Sequence, residues 1–443
     1  MSKPITSESR TMKHVVIVGG GFAGLNCARK LASHSGVWIT LIDRNNYQQF
    51  QPLLYQVATA VLAPSNAAFS LRNVLERYPS VDVKMVEVVS VDLKTRTVET
   101  AEGQKYQGDF LVLAAGSQVN FFETPGADRH AYPLYSLHDA EVLRSRILEA
   151  IESSDRDPSL IARGVLNFVV VGAGPTGAET AGALGDMMQR MLKDEYRDLD
   201  LSKAQVFLVD MGHSVLSTFS PKSQAYAAKM LEKHGVQVRL GAAVKEVTSH
   251  GVLLSDGTKI ASRTVIWAGG LKASSLAGSL GVKRGHGGRI DVQPDFSVEG
   301  FTGVYALGDF ANISGKDGRP LPQLAAVAEQ SGKYCAKCIA AALSGEPVKP
   351  FDYLDKGIMA MIGRNAAVAE VGEHRHELTG PIAFAAWLGV HAVLLTTVRA
   401  QVETFVEWAW DYFGNVQVDQ ILDRPTPINW NDDEEDEDLK GAK

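Results

Sequence analysis

The sequence predicts an α/β fold with two parallel-sheet domains of the same kind, followed by a helical C-terminal region. Two stretches carry this prediction, HVVIVGGGFAGLN at 14–26 and FVVVGAGPTGAET at 168–180. Each joins an apolar strand to the pattern G-x-G-x-x-G and then to a helix of small residues, which is the arrangement of a Rossmann-like nucleotide-binding unit. The chain therefore holds two such units, 153 residues apart from Gly19 to Gly172.

Further apolar runs supply the other strands of the two sheets. Buried parallel strands read as nearly continuous apolar sequence, because helices cover both faces of the sheet. In chain order, the predicted strands are HVVIV (14–18), VWITLID (37–43), DFLVLAAG (109–116), NFVVVG (167–172), AQVFLVD (204–210), RTVIWAGG (263–270) and GVYALGD (303–309). The predicted helices between or after them cover residues 25–32, about 177–192 and about 325–343.

Length and composition limit the kind of protein. A chain of 443 residues is too long for one hydrophobic core, so several domains are expected. The net charge of −7 arises mostly in the tail, where the seven acids at 432–438 outweigh two lysines. The rest is nearly neutral and lacks the basic surface of a nucleic-acid-binding protein. The only cysteines are Cys27, Cys335 and Cys338, which favours a reducing cytoplasmic setting, and no metal site is expected.

The first glycine pattern has every part that a dinucleotide site needs. Gly19 makes the tight turn, Gly21 lets backbone N–H groups approach a pyrophosphate, and Gly24 packs the helix on the strand. The N-terminal end of the helix supplies partial positive charge for the phosphates. Asp43 ends the next strand, 19 residues after Gly24, where a carboxylate can accept hydrogen bonds from a ribose.

The second pattern, with Gly172, Gly174 and Gly177, has the same context. Its acid is Asp210, 33 residues after Gly177, because a charged, loop-like insertion at 191–204 lengthens the interval. Asp210 is followed by Met-Gly-His, with no arginine to meet a 2′-phosphate, which favours NADH over NADPH. Two intact sites in one chain indicate an electron relay, in which a flavin stays bound while a nicotinamide dinucleotide visits.

The order of the motifs resembles the flavoproteins with two dinucleotide-binding domains, which have a glutathione-reductase-like fold. The shared motifs are the two glycine patterns, DFLVLAAG, TVIWAGG at 264–270 and VYALGD at 304–309. The resemblance implies that FAD takes the first pattern and NADH the second. It also implies that the NADH-binding domain, 121–285, is inserted in a discontinuous FAD-binding domain, 12–120 and 286–350, with a separate C-terminal region at 351–443.

Three further motifs resemble the type II NADH dehydrogenases, the NADH:quinone oxidoreductases that do not pump protons. They are FQPLLYQVATA (50–60), PQLAAVAEQSG (322–332) and FDYLDKGIMAMIGRNAAVAEV (351–371). The resemblance covers about residues 12–415. It implies one non-covalent FAD, NADH as substrate, and a quinone, menaquinone or ubiquinone, as acceptor. Hydride would pass from NADH to flavin N5, and two electrons would then pass to the quinone in a ping-pong cycle.

The resemblance also assigns individual residues to the two sites. The FAD-binding residues that it implies are Gly19, Gly21, Phe22, Ala23, Gly24, Asp43, Arg44, Val88, Ala115, Gly116, Gly308, Asp309, Ala325 and Ala326. The NADH-binding residues are Gly172, Gly174, Pro175, Thr176, Gly177, Glu179, Asp210, Ala268 and Gly269. The implied catalytic residues are Glu179, near the nicotinamide, and Gln330, on the acceptor side. A carboxylate at position 179 would also stabilise the first turn of a helix, so a structural role stays open.

The acceptor side departs from the family pattern A-Q-x-A-x-Q. The chain reads AAVAEQ at 325–330, so Ala326 replaces the first glutamine, while Gln330 keeps the second. Two alternatives to quinone reduction stay open. One is a soluble, cytoplasmic, NADH-dependent flavin oxidoreductase with a biosynthetic or protein acceptor, and the other is a non-catalytic NADH-sensing flavoprotein. Ala326 and the acidic face of the 398–414 helix favour the first, and the acidic tail supports the second.

The C-terminal region bears on membrane attachment. Residues 378–398 carry no formal charge, which leaves open a bilayer span, an interfacial segment, and a buried or dimer-contact helix. The segment 398–414 predicts an amphipathic helix with Trp408 and Trp410 as interface aromatics, but its polar face is acidic, a poor match to anionic lipids. The resemblance implies a homodimer, peripheral on the cytoplasmic side of the membrane, and the tail from 431 is expected to be disordered.

Two weaker features have competing interpretations. Cys335 and Cys338 form C-x-x-C on a predicted helix, where two small core residues are expected rather than a redox pair. His391 lies inside the apolar run, which is typical of a packing histidine and leaves open proton donation to a quinone.

Overall fold

The structure, a computed structural model, describes residues 12–191, 196, 199–414, 419–422 and 430. The acidic tail predicted from residue 431 and part of the charged insertion at 191–204 lie outside the described residues. The chain divides into two compact units, and each unit carries one of the two glycine patterns.

Helices in the described residues range from one turn to twenty residues. In chain order they are α1 (Phe22–Leu31), α2 (Leu54–Ala58), α3 (Pro64–Ala67), α4 (Leu71–Leu75), α5 (Ala127–His130), α6 (Leu137–Arg156), α7 (Ser159–Ala162), α8 (Pro175–Asp186), α9 (Pro221–Lys233), α10 (Leu276–Ser279), α11 (Ala325–Ser344), α12 (Pro381–Leu394) and α13 (Val398–Gly414). Two of them, α1 and α8, begin directly at the glycine turns. A π-helical segment, Met187–Met191, extends α8.

The strands of the described residues are short. They form two five-stranded parallel sheets and several small sheets of two or three strands. They are β1 (Lys13–Val18), β2 (Val37–Asp43), β3 (Tyr47–Gln49), β4 (Ala68–Ser70), β5 (Val81–Met85), β6 (Val88–Asp92), β7 (Thr97–Thr100), β8 (Lys105–Gln107), β9 (Phe110–Leu113), β10 (Ser117–Val119), β11 (Ala131–Pro133), β12 (Asn167–Val171), β13 (Gln205–Asp210), β14 (Val236–Leu240), β15 (Val244–Thr248), β16 (Gly251–Leu254), β17 (Lys259–Ala261), β18 (Thr264–Trp267), β19 (Leu271–Ala273), β20 (Ile290–Asp291), β21 (Val304–Ala306), β22 (Ala311–Asn312), β23 (Gly357–Gly363), β24 (Ala366–Val371) and β25 (His376–Thr379).

The first unit is built on a five-stranded parallel sheet in the order β21-β9-β1-β2-β5. Its described residues are 12–49, Phe69–Gln118 and Leu271–Leu354. The central strand β1, between β2 and β9, is buried over most of its length, as a continuous apolar run predicts. Because β1 leads into the first glycine turn, that turn lies at the carboxyl edge of the sheet, beside the ends of both neighbouring strands.

The second unit repeats this plan. It comprises Phe50–Ala68, Val119–Gly270 and the residues from Asp355 onward, apart from those outside the described ranges. A five-stranded parallel sheet has the order β11-β18-β12-β13-β14, so β12, which leads into the second glycine turn, is central as β1 is in the first unit. The antiparallel sheet β23-β24-β25 belongs to the same unit, where α8 packs on β23 and α12 packs on β24.

The predicted strands are all present, and the helix predicted at about 325–343 is found at Ala325–Ser344, but the other two predicted helices begin too late. The helix expected at 25–32 runs over Phe22–Leu31, and the helix expected at about 177–192 runs over Pro175–Asp186. The glycine pattern itself supplies the first helical residues, so treating the pattern as a loop placed both starts after the true ones. No helix of the described residues is both long enough and apolar enough to cross a bilayer.

The two glycine turns share one backbone geometry. The first glycine of each pattern, Gly19 or Gly172, has a φ of +103°. A Cβ atom at Gly24 would lie 1.9 Å from the carbonyl oxygen of Gly19, and one at Gly177 would lie 1.7 Å from that of Gly172. Only hydrogen fits at these positions, so each helix rests directly on its turn.

We expect Gly177→Ala to lower the free energy of unfolding by about 3 kcal/mol, the upper end of the usual cost of overpacking a core. The added methyl group would meet backbone, which cannot rotate away as a side chain can. Gly174→Ala is the matched control, since a Cβ there meets nothing within 4 Å and φ is −70°. Thermal unfolding of both proteins checks the prediction, and equal midpoints would contradict it.

Candidate functional site

The first glycine turn is held by a half-buried carboxylate. Asp43 ends β2, and its Oδ2 accepts a hydrogen bond from Gly20 N at 2.6 Å, while Oδ1 accepts one from Asn45 N at 2.7 Å. Burial raises the pKa of the Asp43 carboxyl, against the effect of these hydrogen bonds. The residue predicted to bind a ribose therefore also fixes the turn.

The helix N-terminus at this turn is open. Gly21 is the N-cap of α1 and provides no side-chain cap. A Cβ at Gly21 would meet nothing within 4 Å, so there is space in front of the helix. A pyrophosphate fits such a cradle, because backbone N–H groups and the helix dipole both favour an anion there.

Asp309 follows β21 in the same unit. Its Oδ2 accepts a hydrogen bond from Ser117 Oγ at 3.0 Å. Burial raises the pKa of Asp309, while Ser117 and the charge of Arg289 act in the opposite direction. A Cβ at Gly308 would lie 2.9 Å from the Cβ of Ala23. The structure thus brings Gly308 and Asp309 close to the N-terminal end of α1.

A second helix N-terminus belongs to this unit. Ala325 and Ala326 begin α11 and are half-buried, and the N-cap residue, Leu324, provides no side-chain cap. A Cβ at Gly332 would lie 2.1 Å from the carbonyl oxygen of Ala23, so α11 lies tightly against α1. The predicted FAD-binding residues of α1 and α11 therefore lie on packed neighbours.

The other predicted FAD-binding residues occupy different parts of the first unit. Residues 115–116 follow β9, and a Cβ at Gly19 would lie 2.1 Å from the carbonyl oxygen of Ala114, so the end of β9 borders the turn. Arg44 is exposed beside Asp43, and Val88 is half-buried at the start of β6. Of these segments, β9 and the end of β2 lie next to the first glycine turn.

Gln330 uses both polar atoms of its side chain within the first unit. Its Nε2 donates a hydrogen bond to Leu354 O, and its Oε1 accepts one from Leu354 N, both at 3.0 Å. The amide therefore fixes the loop that follows α11. A role on the acceptor side would require this paired contact to open or to act through the loop.

The second glycine turn repeats the arrangement of the first. Asp210 ends β13, and its Oδ2 accepts a hydrogen bond from Ala173 N at 2.6 Å, while Oδ1 accepts one from Gly212 N at 2.6 Å. Gly174, the N-cap of α8, provides no side-chain cap, and a Cβ there would meet nothing within 4 Å. A cradle for phosphates is thus present in each unit.

The predicted NADH-binding residues come from three segments of the second unit. Pro175 and Thr176 are exposed at the start of α8. Ala268 and Gly269 follow β18, and a Cβ at Gly172 would lie 2.5 Å from the carbonyl oxygen of Ala268. The ends of β12, β13 and β18 therefore meet at the second turn.

Glu179 is a buried acid in the first turns of α8. Glu179 is only 8% exposed. Its Oε1 accepts hydrogen bonds from Met361 N at 3.1 Å and from Trp387 Nε1 at 3.2 Å. Burial raises the pKa of Glu179 to about 8, against these hydrogen bonds. The carboxyl is therefore mostly protonated at neutral pH, and a neutral acid gains little from the helix dipole.

Glu179 borders a cavity of about 70 Å³ in the second unit. The residues that line the cavity are Tyr55, Gln56, Val61, Glu179, Ala183, Asp186, Met361, Gly363, Arg364, Phe384, Leu388, Trp408, Asp411 and Tyr412. A cavity of about 150 Å³ binds one benzene molecule, so this space is too small for a quinone ring and suits a few water molecules. The polar groups on its wall fit that content.

A polar network beside the cavity was not indicated by the sequence patterns. Gln56 donates from Nε2 to the hydroxyl of Tyr55 at 3.0 Å and accepts at Oε1 from Trp408 Nε1 at 2.7 Å. The prediction that Trp408 is an interface aromatic is wrong, because the residue is only 6% exposed. The available signal was Gln56 itself, since a glutamine inside an apolar run requires a buried partner.

His391 packs within the C-terminal helices. Its ring stacks on Trp387 with the ring centroids 3.8 Å apart, and Nδ1 lies 2.8 Å from Trp387 O. Burial lowers the pKa of His391 to about 4, so the imidazole is neutral at physiological pH. These contacts favour the packing role over proton donation, because a neutral imidazole is a weak acid.

The helices α12 and α13 present a large apolar face to solvent. The exposed apolar side chains of this face are Ile382, Val390, Val393, Leu394, Val398, Val402, Phe405, Val406, Trp410 and Phe413. Two of the three acids of α13 are withdrawn from solvent, since Glu407 is half-buried and Asp411 lines the cavity. The third, Glu403, pairs with Arg399 at 2.7 Å. The expected conflict between an acidic face and lipid is therefore largely absent.

The cysteines are buried free thiols, Cys27, Cys335 and Cys338. Burial raises the pKa of Cys335 well above its usual value and that of Cys338 to about 11. A thiol with a raised pKa is a poor nucleophile. The prediction that Cys335 and Cys338 are core residues is confirmed.

Comparison with known proteins gives a family and, within it, a narrower group of relatives. Residues 13–332 match the family described as pyridine nucleotide-disulphide oxidoreductase. The type II NADH:quinone oxidoreductase Ndh of Mycobacterium tuberculosis is 38% identical over 419 residues, which cover 91% of this chain and 89% of the relative. The type II NADH:quinone oxidoreductase of Staphylococcus aureus is 30% identical over 375 residues, which cover 81% of this chain and 90% of the relative.

A solved structure shows the same fold. NDH2 from Plasmodium falciparum in complex with NADH matches with a TM-score of 0.84 at 20% identity, over 92% of this chain and 99% of that one. The bacterial relatives cover more of the chain than the family match does, so their likeness extends into the C-terminal region. The chain therefore belongs to the pyridine nucleotide-disulphide oxidoreductase family and, within it, to the type II NADH:quinone oxidoreductases.

Proposed function

We propose that this protein is an FAD-dependent NADH:quinone oxidoreductase that pumps no protons. The observation that carries the proposal is the repeated cradle, in which an open helix N-terminus follows a glycine turn held by an aspartate. Two cradles fit two dinucleotides, and a relay from a visiting nicotinamide through a resident flavin needs both. Membership of the type II family supports a quinone as the acceptor.

In this proposal FAD is held without a covalent bond by the first unit. The open N-termini of α1 and α11 offer backbone N–H groups to phosphate oxygens, and Asp43 and Asp309 offer carboxyl oxygens to hydroxyl groups. The residues present therefore fit the group. Bound there, FAD would supply acceptance of a hydride and release of electrons one or two at a time. The discontinuous domain at 12–120 and 286–350 is part of this proposal.

NADH is placed on the second unit, within the proposed domain at 121–285. Asp210 meets the ribose hydroxyls, and residues 211–213, Met-Gly-His, offer no arginine to a 2′-phosphate. Glu179 lies on the helix that begins at this turn and is mostly neutral there. We assign to it the positioning of the nicotinamide, for which a protonated carboxyl can donate a hydrogen bond.

The acceptor is placed in the membrane, as menaquinone or ubiquinone. The apolar face of α12 and α13 supports a peripheral position on the membrane, because such a face is unfavourable in water. The cytoplasmic side of the membrane belongs to the proposal as what the family resemblance implies. We include in the proposal a homodimer and a role for Gln330 on the acceptor side, both of which the family resemblance implies. Ala326 favours the alternative of a soluble acceptor, and the apolar face weighs against it.

We expect the FAD-loaded protein to oxidise NADH several-fold faster with a short-chain quinone than with oxygen alone. Ala326→Gln, which restores the glutamine of the family pattern, is expected to keep or raise the quinone-dependent rate. Steady-state absorbance of NADH measures both. A wild-type rate that quinone does not stimulate would remove the proposed function and leave the soluble alternatives.

Asp210→Asn is expected to raise the KM for NADH on the order of tenfold, because an amide NH2 group, which donates hydrogen bonds, replaces one accepting carboxylate oxygen. The loss of negative charge is also expected to reduce the preference for NADH over NADPH. Asp256→Asn is the control, since Asp256 is an exposed acid of the same unit. Kinetics with both nucleotides test this, and an unchanged ratio of their kcat/KM values would refute the role of Asp210.

Binding of the protein to phospholipid vesicles is expected to weaken more than about tenfold in a Phe405→Glu, Phe413→Glu double variant, because burial of each phenylalanine contributes roughly 1.5–3 kcal/mol. A Leu343→Glu, Val371→Glu double variant is the matched control, since these two apolar residues are exposed outside the face of α12 and α13. Co-sedimentation measures the bound fraction. Equal pelleting of all three proteins would show that this face does not bind membranes.

A further inference from the structure

Phe122 is an exposed aromatic residue of the second unit that neither proposed dinucleotide site includes. Its residue is 59% exposed, whereas the neighbouring Phe121 packs on Trp267 with the ring centroids 5.6 Å apart. Both phenylalanines lie in the segment between β10 and α5. One ring therefore belongs to the core of the unit, and the next ring along the chain is turned to solvent.

The backbone turns the Phe122 ring outward at a conformational cost. Phe122 and Glu123 have φ values of +51° and +57°, in the left-handed region that bulky residues rarely adopt. Asn120 Oδ1 accepts a hydrogen bond from Phe122 N at 3.0 Å, and Phe121 O accepts one from Thr124 N at 2.9 Å, so the turn is held in place. Residues in such conformations occur mainly at active sites and ligand-binding sites. The turn therefore points to a functional role for the ring.

The ring lies beside the end of β18. A Cβ atom at Gly270 would lie 3.1 Å from Phe122 Cζ and 3.4 Å from Cε2, so the edge of the ring faces this glycine. Asn120 N donates a hydrogen bond to Gly270 O at 3.0 Å, which fixes the turn to the segment after β18. The same segment borders the second glycine turn, because a Cβ at Gly172 would lie 2.7 Å from Gly269 Cα.

The order of the strands determines which half of a dinucleotide reaches this point. Asp210, at the end of β13, meets the adenosine ribose in the proposed site, and the N-terminus of α8, after β12, meets the pyrophosphate. The strands lie in the order β13, β12, β18 across the sheet. A dinucleotide that extends along this edge therefore brings its nicotinamide half to the end of β18, where Phe122 lies.

We propose that Phe122 packs against the nicotinamide ring of bound NADH and positions that half of the substrate. The dihydronicotinamide ring carries no charge and has apolar faces, which fit an aromatic side chain. The contact also removes exposed apolar area of Phe122 from water, which is favourable. This role rests on the proposed placement of NADH on the second unit, and it adds a residue that the glycine pattern does not contain.

Binding of two ligands to the FAD-loaded protein tests the contact. One ligand is tetrahydro-NAD, a reduced analogue of NADH that cannot donate a hydride, and the other is ADP-ribose, which lacks the nicotinamide ring. Phe122→Ala is expected to raise the Kd of tetrahydro-NAD about tenfold and to change that of ADP-ribose less than about twofold, because one aromatic contact is lost. Isothermal titration calorimetry measures both constants.

Three further variants complete the test. Phe122→Leu, which keeps apolar area without an aromatic ring, is expected to give an intermediate Kd for tetrahydro-NAD. Asp210→Asn is the contrasting variant and should weaken both ligands, because both contain the adenosine ribose. Val371→Ala, which shortens an exposed apolar side chain on β24, should bind both ligands as the wild type does.

Thermal unfolding shows whether the fold is intact. Alanine keeps the Cβ atom, so the cost of the left-handed backbone at position 122 is the same before and after the change. The ring of Phe122 is mostly exposed, and the unfolding midpoint of Phe122→Ala is therefore expected to equal that of the wild type.

Two results would overturn the role of Phe122 and leave the proposed function standing. One is a wild-type Kd for tetrahydro-NAD in both Phe122→Ala and Phe122→Leu. The other is an equal rise in Kd for both ligands in Phe122→Ala, which would remove the assignment to the nicotinamide half. A wild-type protein that binds neither ligand would overturn this role and the placement of NADH together. A wild-type enzyme that binds both ligands but is not stimulated by quinone would refute the proposed function alone, and a difference between the two ligands in Phe122→Ala would still support the role of Phe122.

Discussion

The contact between the third glycine of each pattern and the carbonyl oxygen of the first is the constraint on which the structure depends. A Cβ would lie within 2 Å of that oxygen at Gly24 and at Gly177, so hydrogen is the only substituent that fits. The contact seats the helix on the turn and points its N-terminus into open space. An aspartate at the end of the neighbouring strand then locks the turn with a 2.6 Å hydrogen bond. Backbone N–H groups at an open helix N-terminus can bind phosphates without a concentration of basic side chains, in keeping with the nearly neutral body of the chain.

A second close contact places the side of α8 against β23. A Cβ at Gly182 would lie 1.8 Å from the carbonyl oxygen of Ile362, so β23 lies directly against the helix. This proximity lets Met361 N reach Glu179, and it helps to keep the acid out of solvent. One helix therefore presents its N-terminus to the dinucleotide cradle and its side to the cavity. The state of the acid is set by backbone packing as much as by the side chains around it.

The parts of the structure that sequence predicts are those set by local pattern. The seven strands, the two turns and their acids follow from apolar runs and glycine spacing, and Asp210 is found despite its long interval because it ends a strand. Strand order and the cavity could not be predicted, because they depend on contacts between distant segments. The cavity joins residues near 55, 180, 361 and 410, and the partners of Gln56 and Gln330 lie far along the chain or in a loop. Trp408 was misplaced for the same reason, since its partner is 352 residues away.

The helices α12 and α13 have one face exposed to solvent and one face buried in the second unit. Phe405 and Phe413 point outward, whereas Trp387 and Trp408 donate hydrogen bonds to the buried side chains of Glu179 and Gln56. Each buried group that loses its partner costs about 1–3 kcal/mol, and the cavity would lose one wall. The segment of α12 and α13 is therefore part of the core as well as a surface. A form truncated before α12 would lose the partners of Glu179 and Gln56, and we expect it to unfold more readily. A more polar surface at these helices is better obtained by changing outward-facing side chains one at a time, with the helices kept whole.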